Sequence, residues 1–177
     1  MKLVILDRDG TINHDSEHHV KSVDEWRPIK GSLEAIARLS QAGYRVVVVT
    51  NQSGIARGLL SSRTLFEIHD ALQRAVAQHG GRVDAFFFCP HAADSACQCR
   101  KPLPGMALEV ARRFNASLKD VYMVGDARRD LEAAHAAGAR PVLVLTGKGR
   151  KTKADGELPA GTQVFPDLAA FAEQLAP

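Results

Sequence analysis

Residues 3–11 read LVILDRDGT and combine the two features that decide the fold. The first four letters form a continuous apolar run, which is typical of a short strand buried on both faces of a parallel sheet. The run ends at Asp7, and a second carboxylate follows at Asp9. Two carboxylates this close repel each other unless a cation lies between them. Taken alone, the same letters are equally compatible with an Asx-rich turn built around Gly10.

Short apolar runs of the same kind recur along the chain and alternate with segments of helical spacing. They predict strands at 3–6, 45–50, 83–88, 121–124 and 141–146, and a short edge strand at 163–165. Between them we predict helices that begin near Ser32, at Ser61 or Ser62, near Pro104, near Leu131 and after Asp167, with Ser32 and Asp167 as N-caps. The predicted fold class is therefore α/β, a three-layer Rossmann-like arrangement around a central parallel sheet.

Length and composition indicate an ordinary globular chain. A chain of 177 residues suits one domain, which we expect to span 1–177, and 45% of the residues are apolar. The net charge is only +3 and aromatic residues make up 6%, which argues against a nucleic-acid-binding module. The cationic run at 148–153 is interpreted as a solvated loop. The apolar run at the N-terminus is too short for a signal peptide or a membrane span, so we expect a cytoplasmic protein. The sequence offers no clear apolar patch for self-association, so we expect a monomer.

Polar residues follow each of the first four predicted strands, and in a parallel sheet these strand ends meet at one edge. Asp7 and Asp9 follow the first strand, and Thr50 ends the second. Lys101 comes after the third strand, and Asp126 follows the fourth with Asp130 four residues on. Carboxylates of this kind suit Mg²⁺, whereas the lysine and the hydroxyl suit phosphate oxygens. Since a carboxylate can also attack phosphorus, the set predicts phosphoryl transfer through an aspartyl phosphate.

All three cysteines of the chain fall within residues 89–99, together with one histidine. Three thiolates and one imidazole form the ligand set of a closed, four-coordinate structural zinc site. We predict that Zn²⁺ is bound by Cys89, His91, Cys97 and Cys99. The resulting zinc loop, residues 89–102, would hold Arg100 and Lys101 rigidly at the end of the third strand. The segments after the first three strands leave no room for a separate domain that caps the site.

DRDGT, VVVVTN, Lys101 and VGDARRD resemble the four motifs of the haloacid dehalogenase superfamily of phosphatases. Within it, TNQSGIARG (50–58) and CRKPLPGM (99–106) resemble the bacterial D-glycero-D-manno-heptose 1,7-bisphosphate phosphatases. The resemblance covers roughly residues 2 to 147. It implies a phosphoric monoester hydrolase that removes the C7 phosphate of a phosphorylated sugar, in the supply of ADP- or GDP-heptose for lipopolysaccharide or surface-layer glycans.

The resemblance also implies a role for each matching residue. Asp7 is expected to be the nucleophile and Asp9 the general acid and base. Mg²⁺ is expected on Asp7, the backbone carbonyl of Asp9 and Asp126, with Asp130 in a supporting position. Thr50 and Lys101 are expected to bind the transferred phosphoryl group. Substrate contacts are expected from eight residues: Asp15, Ser16, Glu17, His18, Asn51, Gln52, Ser53 and Arg100.

Two rival interpretations remain open at this point. Histidinol phosphatases resemble the chain in the zinc cluster and in all four motifs, but differ from it after TNQ and after CRKPL. A signalling receiver domain also places acidic residues, Thr and Lys around Mg²⁺ on a parallel sheet. It differs because its acidic pair and its phosphorylated aspartate lie on different strands, whereas Asp7 and Asp9 share one strand end. Sustained turnover separates an enzyme from such a domain.

Overall fold

The computed structural model describes residues 1–177 and contains one sheet of six strands, all paired in parallel. The strands are β1 (Leu3–Leu6), β2 (Arg45–Asn51), β3 (Ala85–Cys89), β4 (Tyr122–Gly125), β5 (Arg140–Val144) and β6 (Gln163–Phe165). Their spatial order is β3-β2-β1-β4-β5-β6. The predicted α/β fold is confirmed.

Six helices connect or follow these strands: α1 (Ser32–Gln41), α2 (Ser62–Gln78), α3 (Gly105–Phe114), α4 (Arg128–Ala136), α5 (Gly149–Ala154) and α6 (Leu168–Leu175). A single 3-10 turn at Val23–Glu25 lies in the connection from β1 to α1. The connections that follow β1, β2 and β3 contain no separate cap domain. No helix is both long enough and apolar enough to cross a bilayer.

The sheet separates two apolar cores, because side chains alternate between its faces. Val4 and Leu6 pack on one face against α1, α2 and α6, whereas Leu3 and Ile5 pack on the other against α3 and α4. All four of these β1 side chains are buried. The central strand is therefore apolar throughout, and its first polar side chain, that of Asp7, comes where the strand ends.

The strand order places the connections of β1 and β4 on opposite sides of the sheet. Ligands of such sheets bind outside the carboxyl ends of the strands at this switch point. The backbone N–H of Asp7 donates to the carbonyl of Val124 at 2.8 Å, which fixes the end of β1 against the end of β4. Residues that follow these two strands must therefore lie side by side.

Three local predictions need correction. Ser32 is not an N-cap: Gly31 occupies that position with φ +82°, and the Ser32 hydroxyl donates to the carbonyl of Ile12 at 2.6 Å. The third strand begins at Ala85, because the Asp84 carboxylate accepts the backbone N–H of Val46 at 2.9 Å and occupies the place of a strand partner.

The third correction concerns the cationic run at 148–153. It is not a loop but contains α5, whose Gly149 and Thr152 are buried. By contrast, Ser61 and Asp167 cap α2 and α6 with their side-chain oxygens, as predicted.

Candidate active site

The carboxyl ends of β1 and β4 bring three carboxylates together. One oxygen each of Asp7, Asp126 and Asp130 lies within 4.8 Å of the others, and all three residues are buried. Glycines make this approach possible, since a Cβ at Gly10 would stand 2.1 Å from Asp126 Oδ2, and one at Gly125 would stand 2.3 Å from Asp130 Cβ. The predicted acidic cluster therefore exists as a closely packed group.

Lys101 reaches this cluster from the zinc loop although it lies 94 positions from Asp7 in the chain. Its ammonium donates to Asp7 Oδ1 at 2.7 Å and to the carbonyl of Val49 at 3.0 Å, and lies 2.7 Å from Asp130 Oδ1. Only 2% of the residue is exposed. Burial acts to lower its pKa, but Asp130 and Asp7 outweigh it and raise the pKa above the ordinary value. The lysine is therefore charged and fixed between two carboxylates.

One lysine does not neutralise the three carboxylates. Burial raises the pKa of Asp7 to about 6, with Lys101 opposing and Asp130 adding to the rise. Burial, together with Asp7 and Asp130, raises the pKa of Asp126 to about 8. In addition, Asp126 Oδ1 is buried without a hydrogen-bond partner. Hard oxygen donors that repel one another and lack a partner fit a divalent cation such as Mg²⁺.

Asp9 lies beside the cluster but has different partners. Its Oδ1 accepts from Asn13 Nδ2 at 2.9 Å and from Arg8 Nε at 3.0 Å, and its Oδ2 accepts from Gln52 Nε2 at 2.9 Å. Burial acts to raise the pKa of Asp9, but Arg8, Asn13 and Gln52 together hold it below its ordinary value. The carboxylate is therefore ionised and oriented.

The residues at the end of β2 and just after it contact the site in ways that sequence alone did not show. Thr50 is buried, and its hydroxyl accepts from Gln52 Nε2 at 2.9 Å. Asn51 forms two hydrogen bonds with the backbone of Lys101, from its Nδ2 to the carbonyl at 3.0 Å and from the N–H to its Oδ1 at 3.1 Å. Asn51 and Gln52 thus orient Lys101 and Asp9, whereas Ser53 has no such contact and is half-buried.

The remaining predicted substrate contacts lie in loops. Asp15 Oδ2 is 3.0 Å from Lys148 Nζ, so the connection after β1 meets the one after β5. Ser16 donates its backbone N–H to Asp15, and Glu17 and His18 are exposed. The half-buried Arg100 has Nη1 3.4 Å from the carbonyl of His91. A substrate role for these residues stays a prediction.

The four predicted zinc ligands come together around one point. Their ligand atoms all lie within 4.8 Å of one another, with Cys89 Sγ 3.7 Å from Cys97 Sγ and Cys99 Sγ 3.2 Å from His91 Nδ1. Tetrahedral Zn²⁺ with bonds of about 2.3 Å keeps its sulfur ligands about 3.8 Å apart. Burial acts to raise the pKa of Cys97, but the N–H of Arg100 and the other thiols lower it to about 6. The cluster therefore fits the metal, and the backbone of Arg100 borders it.

Sequence reasoning missed the connection after β5. Thr146 donates its hydroxyl to the carbonyl of Gly10 at 2.7 Å, and Lys148 donates its backbone N–H to Asp126 Oδ2 at 2.7 Å. Thr152 of α5 donates to the carbonyl of Asp126 at 2.9 Å. The signal was present, because these polar residues follow the fifth apolar run just as the others follow the first four.

Arg8, Asn13 and Arg129 were also missed. Arg8 and Asn13 bind Asp9, as described above. The guanidinium of Arg129 has Nε buried without a partner. Burial acts to lower the pKa of Arg129, but Asp130, Asp7 and Asp126 raise it, since the cation stands close to the acidic cluster.

A family model and two relatives all point to the same kind of hydrolase. A model of the HAD-hydrolase-like family matches residues 98–171. A D-glycero-beta-D-manno-heptose-1,7-bisphosphate 7-phosphatase of Bordetella bronchiseptica is 61% identical over 175 residues, which cover 99% of this chain and 98% of the relative. A phosphatase of the same name from Pseudomonas putida is 53% identical over 99% of both chains.

A solved structure agrees with these relatives. The crystal structure of D,D-heptose 1.7-bisphosphate phosphatase from B. bronchiseptica, complexed with magnesium and phosphate, matches with a TM-score of 0.98 and 60% identity. The match covers 99% of this chain and 98% of that chain. The resemblance predicted from the four motifs is confirmed. The chain belongs to the D-glycero-beta-D-manno-heptose-1,7-bisphosphate 7-phosphatase family of haloacid-dehalogenase-like hydrolases.

Proposed function

We propose that the protein is a Mg²⁺-dependent phosphatase that removes the C7 phosphate of D-glycero-beta-D-manno-heptose 1,7-bisphosphate and leaves heptose 1-phosphate. The observation that carries the chemistry is the buried contact of 2.7 Å between Lys101 Nζ and Asp7 Oδ1, beside Asp126 and Asp130. The substrate assignment is supported by relatives of that activity, 61% and 53% identical to the chain.

Asp7, Asp126 and the backbone carbonyl of Asp9 would hold Mg²⁺, and the related crystal structure was obtained with magnesium and phosphate. When bound, the ion offsets the charge of the phosphate and of the attacking carboxylate. Asp130 does not need to bind the ion to contribute, because it contacts Lys101 and accepts the N–H of Ala127 at 3.0 Å. It holds the lysine in position together with Asp7.

In the first step, a carboxylate oxygen of Asp7 attacks the C7 phosphorus and the bond from phosphorus to the sugar oxygen breaks. Lys101 and the Thr50 hydroxyl donate to the phosphoryl oxygens as charge develops. Asp9 gives its proton to the departing sugar oxygen. In the free protein Asp9 is ionised, and the arriving phosphate dianion raises its pKa so that it takes up the proton it needs.

In the second step, Asp9 is ionised again and removes a proton from water. The water oxygen attacks phosphorus, the acyl phosphate bond breaks, and the Asp7 carboxylate and inorganic phosphate are regenerated. Asn13 and Gln52 suit Asp9 to this step, because they donate to its two oxygens and fix the carboxylate plane. One side chain thereby serves as acid and then as base.

The zinc cluster is assigned a structural role, since four protein ligands leave no open position for catalysis. It borders Arg100, whose guanidinium suits a phosphate or sugar oxygens at the entrance. Asn51, Gln52, Ser53 and residues 15–18 are assigned to the same entrance, with Asn51 and Gln52 acting mainly through Lys101 and Asp9. We further propose that the protein acts as a monomer in the cytoplasm, where zinc-bound thiolates are not oxidised to disulfides.

The nucleophile is tested by Asp7→Asn, with Asp24→Asn as a control that removes a carboxylate from the exposed turn at Val23–Glu25. Phosphate release from the heptose bisphosphate should fall more than about 10³-fold in Asp7→Asn and stay at the parent level in Asp24→Asn. Trapping with radiolabelled substrate in acid should yield a phosphoenzyme only when Asp7 is present. Parent-level turnover by Asp7→Asn contradicts the mechanism.

The substrate is tested by measuring kcat/KM for the heptose bisphosphate and for histidinol phosphate side by side, with Mg²⁺ and then with EDTA. We expect a preference of at least about 100-fold for the bisphosphate and no turnover with EDTA. A higher kcat/KM for histidinol phosphate reverses the assignment. Analytical ultracentrifugation of the same samples tests whether the protein is a monomer.

A further inference from the structure

Arg8 is the largest fully buried side chain of the protein, and its charge faces the reaction centre. Its Nε and Nη2 donate to Asp9 Oδ1 at 3.0 and 2.9 Å, and Nη2 also lies 3.1 Å from Oδ2. Two of the three guanidinium nitrogens are thereby used on one carboxylate. The third, Nη1, has a different partner, and that partner determines how firmly the whole group is held.

That partner is His69 in the middle of α2. Its Nε2 lies 3.3 Å from Arg8 Nη1, and 5% of the residue is exposed. A guanidinium can only donate, so Nε2 must be the acceptor and the ring proton must sit on Nδ1. The neutral ring is consistent with burial and with the nearby Arg8 charge, which lower the pKa of His69 to about 3.

The position of the imidazole is itself fixed from the opposite side. The ring stacks on Phe86 of β3 with centroids 4.4 Å apart and an angle of 13° between the planes. A row of contacts therefore leads from β3 through α2 to the end of β1: Phe86, His69, Arg8 and Asp9. No part of this row before Asp9 lies among the residues assigned to metal or phosphate.

We propose that His69 is a positioning residue for catalysis: by accepting from Arg8 it fixes the guanidinium that holds the Asp9 carboxylate. The inference rests on the proposed function, in which Asp9 transfers the protons. Removing the acceptor leaves a buried N–H of a charged group without a partner, which is costly. Arg8 must then turn toward another acceptor, and Asp9 loses two of its donors or moves with them.

The test compares His69→Leu, which removes the acceptor, with His69→Gln, whose Oε1 can accept at the position of Nε2. The measured quantity is kcat/KM for two esters, the heptose bisphosphate and p-nitrophenyl phosphate. An alkoxide needs a proton from Asp9 to depart, whereas nitrophenolate leaves without one. We expect His69→Leu to lose about tenfold on the sugar phosphate and less than about twofold on the aryl phosphate, and His69→Gln to recover most of the loss.

A merely structural role would reduce both rates together. Leu72→Ala supplies that control, because Leu72 is buried on the same helix at the next turn and its loss leaves a cavity without removing a hydrogen-bond acceptor of Arg8. We expect it to lower Tm while the ratio of the two kcat/KM values stays at the parent value. An unchanged ratio in an active His69→Leu, or an equal loss in His69→Gln, overturns the proposal.

Crystal structures of the two His69 variants give a readout that does not depend on activity. We expect the Arg8 guanidinium to leave Asp9 in His69→Leu and to remain there in His69→Gln. An unmoved Arg8–Asp9 pair in His69→Leu also overturns the proposal. Failure of the proposed function appears differently, as a parent protein that is inactive on both esters.

Discussion

At the scale of single residues, the acidic cluster depends on two opposing effects. Burial and mutual repulsion disfavour charge on Asp7 and Asp126, whereas Lys101 favours it on Asp7. Lys101 contacts Asp7 and Asp130 but does not satisfy the free oxygen of Asp126. The part of the cluster around Asp126 is therefore where a metal ion contributes most.

This balance predicts how Mg²⁺ stabilises the fold as the pH changes. Both carboxylates have raised pKa values, about 6 for Asp7 and about 8 for Asp126, against 3.8 without the folded environment. A raised pKa gives stability that is fully present below the unfolded value and is lost as the pH rises through the folded value. The metal-free protein should therefore lose stability between pH 4 and pH 8 through these groups.

Mg²⁺ should offset this loss, so its stabilising effect should grow with pH. At one fixed Mg²⁺ concentration, about 100-fold above the Kd at pH 8.5, we expect Tm to rise by about 5 °C at pH 8.5. At pH 5 protons compete for the same carboxylates and weaken Mg²⁺ binding, so Tm should rise by less than about 1 °C. Scanning fluorimetry with and without Mg²⁺ measures this rise in Tm at each pH. In Asp126→Asn the difference between the two pH values should largely disappear; an equal Mg²⁺ effect at both pH values in the parent contradicts the prediction.

Gly147 gives a second prediction at this scale. Its φ is +53°, and a Cβ there would stand 2.2 Å from Asp126 Oδ2 and 2.6 Å from Gly10 Cα. Gly161 is a matched control, with φ +79° and nothing within 4 Å of the added Cβ. Alanine at Gly161 should cost about 1 kcal/mol of unfolding free energy because of the left-handed backbone alone. Alanine at Gly147 should cost more, because its Cβ also meets the backbone of Gly10.

Only Gly147→Ala should also displace the Asp126 carboxylate. We expect it to weaken Mg²⁺ binding by at least about tenfold, measured by calorimetry, while Gly161→Ala binds Mg²⁺ like the parent. Equal Mg²⁺ affinity in the two variants would show that Asp126 moves aside without consequence.

At the scale of elements, the sequence was most informative where apolar runs end in polar residues. The acid pair after β1, Thr50, Lys101 and Asp126 all lie where their strands end, since a parallel sheet gathers these ends at one edge. The zinc cluster was also predictable, because four ligand residues within eleven positions leave little choice of arrangement. These features depend on local spacing, which sequence contains.

Features that depend on a distant partner were not predictable. Serine is a common N-cap residue, but the Ser32 hydroxyl donates to the carbonyl of Ile12, which lies 20 positions earlier in the chain. The helix α5 is only six residues long and lacks an apolar stripe, so its burial against Asp126 left no periodic signal. His69 has no motif around it, and its contact with Arg8 spans 61 positions. Tertiary contacts override local preference in each case.

The zinc loop and the end of β2 together position the two cationic residues that follow the zinc ligands, Arg100 and Lys101. Asn51 binds both backbone polar groups of Lys101, whereas the zinc cluster borders Arg100. The two supports should therefore be separable. Cys99→Ala, or removal of zinc by a chelator followed by return of Mg²⁺, should raise KM for the bisphosphate about tenfold and lower kcat less, because it mainly frees Arg100.

Asn51→Ala should do the reverse, since a displaced Lys101 no longer meets the phosphoryl group at Asp7. We expect kcat to fall about 100-fold with a smaller change in KM. Steady-state kinetics with the zinc content measured for each sample distinguishes the two. Full activity in a verified zinc-free protein would falsify the role given to the loop.

At the scale of the whole molecule, no separate domain covers the site. The connections after the first three strands carry no separate domain, only the zinc loop and one 3-10 turn. In an enzyme with a cap domain, closure of the cap brings further charged residues to the substrate. In this chain the cations must already be in position before the substrate binds. Lys148 and Arg100, which lie beyond the ends of β5 and β3, are available for that purpose.

Because the cations are fixed in place and no domain covers the site, we expect kcat/KM to depend on the salt concentration. The chain carries a net charge of +3, and the bisphosphate has roughly twice the negative charge of a monophosphate. Screening shortens the range of these charges from about 30 Å at 0.01 M salt to about 3 Å at 1 M. Raising NaCl from about 20 mM to about 500 mM should therefore lower kcat/KM for the bisphosphate about tenfold. The loss for p-nitrophenyl phosphate should be much smaller.

Two controls separate steering from other effects of salt on this prediction. Sodium acetate should give the same dependence as NaCl if screening is the cause, whereas chloride binding in the site would make the two salts differ. Lys148→Gln should flatten the dependence for the bisphosphate, because it removes an exposed ammonium while leaving the backbone N–H that binds Asp126. If kcat/KM fell equally with salt for both esters, long-range attraction would not contribute to substrate binding, and the cations would act only in direct contact.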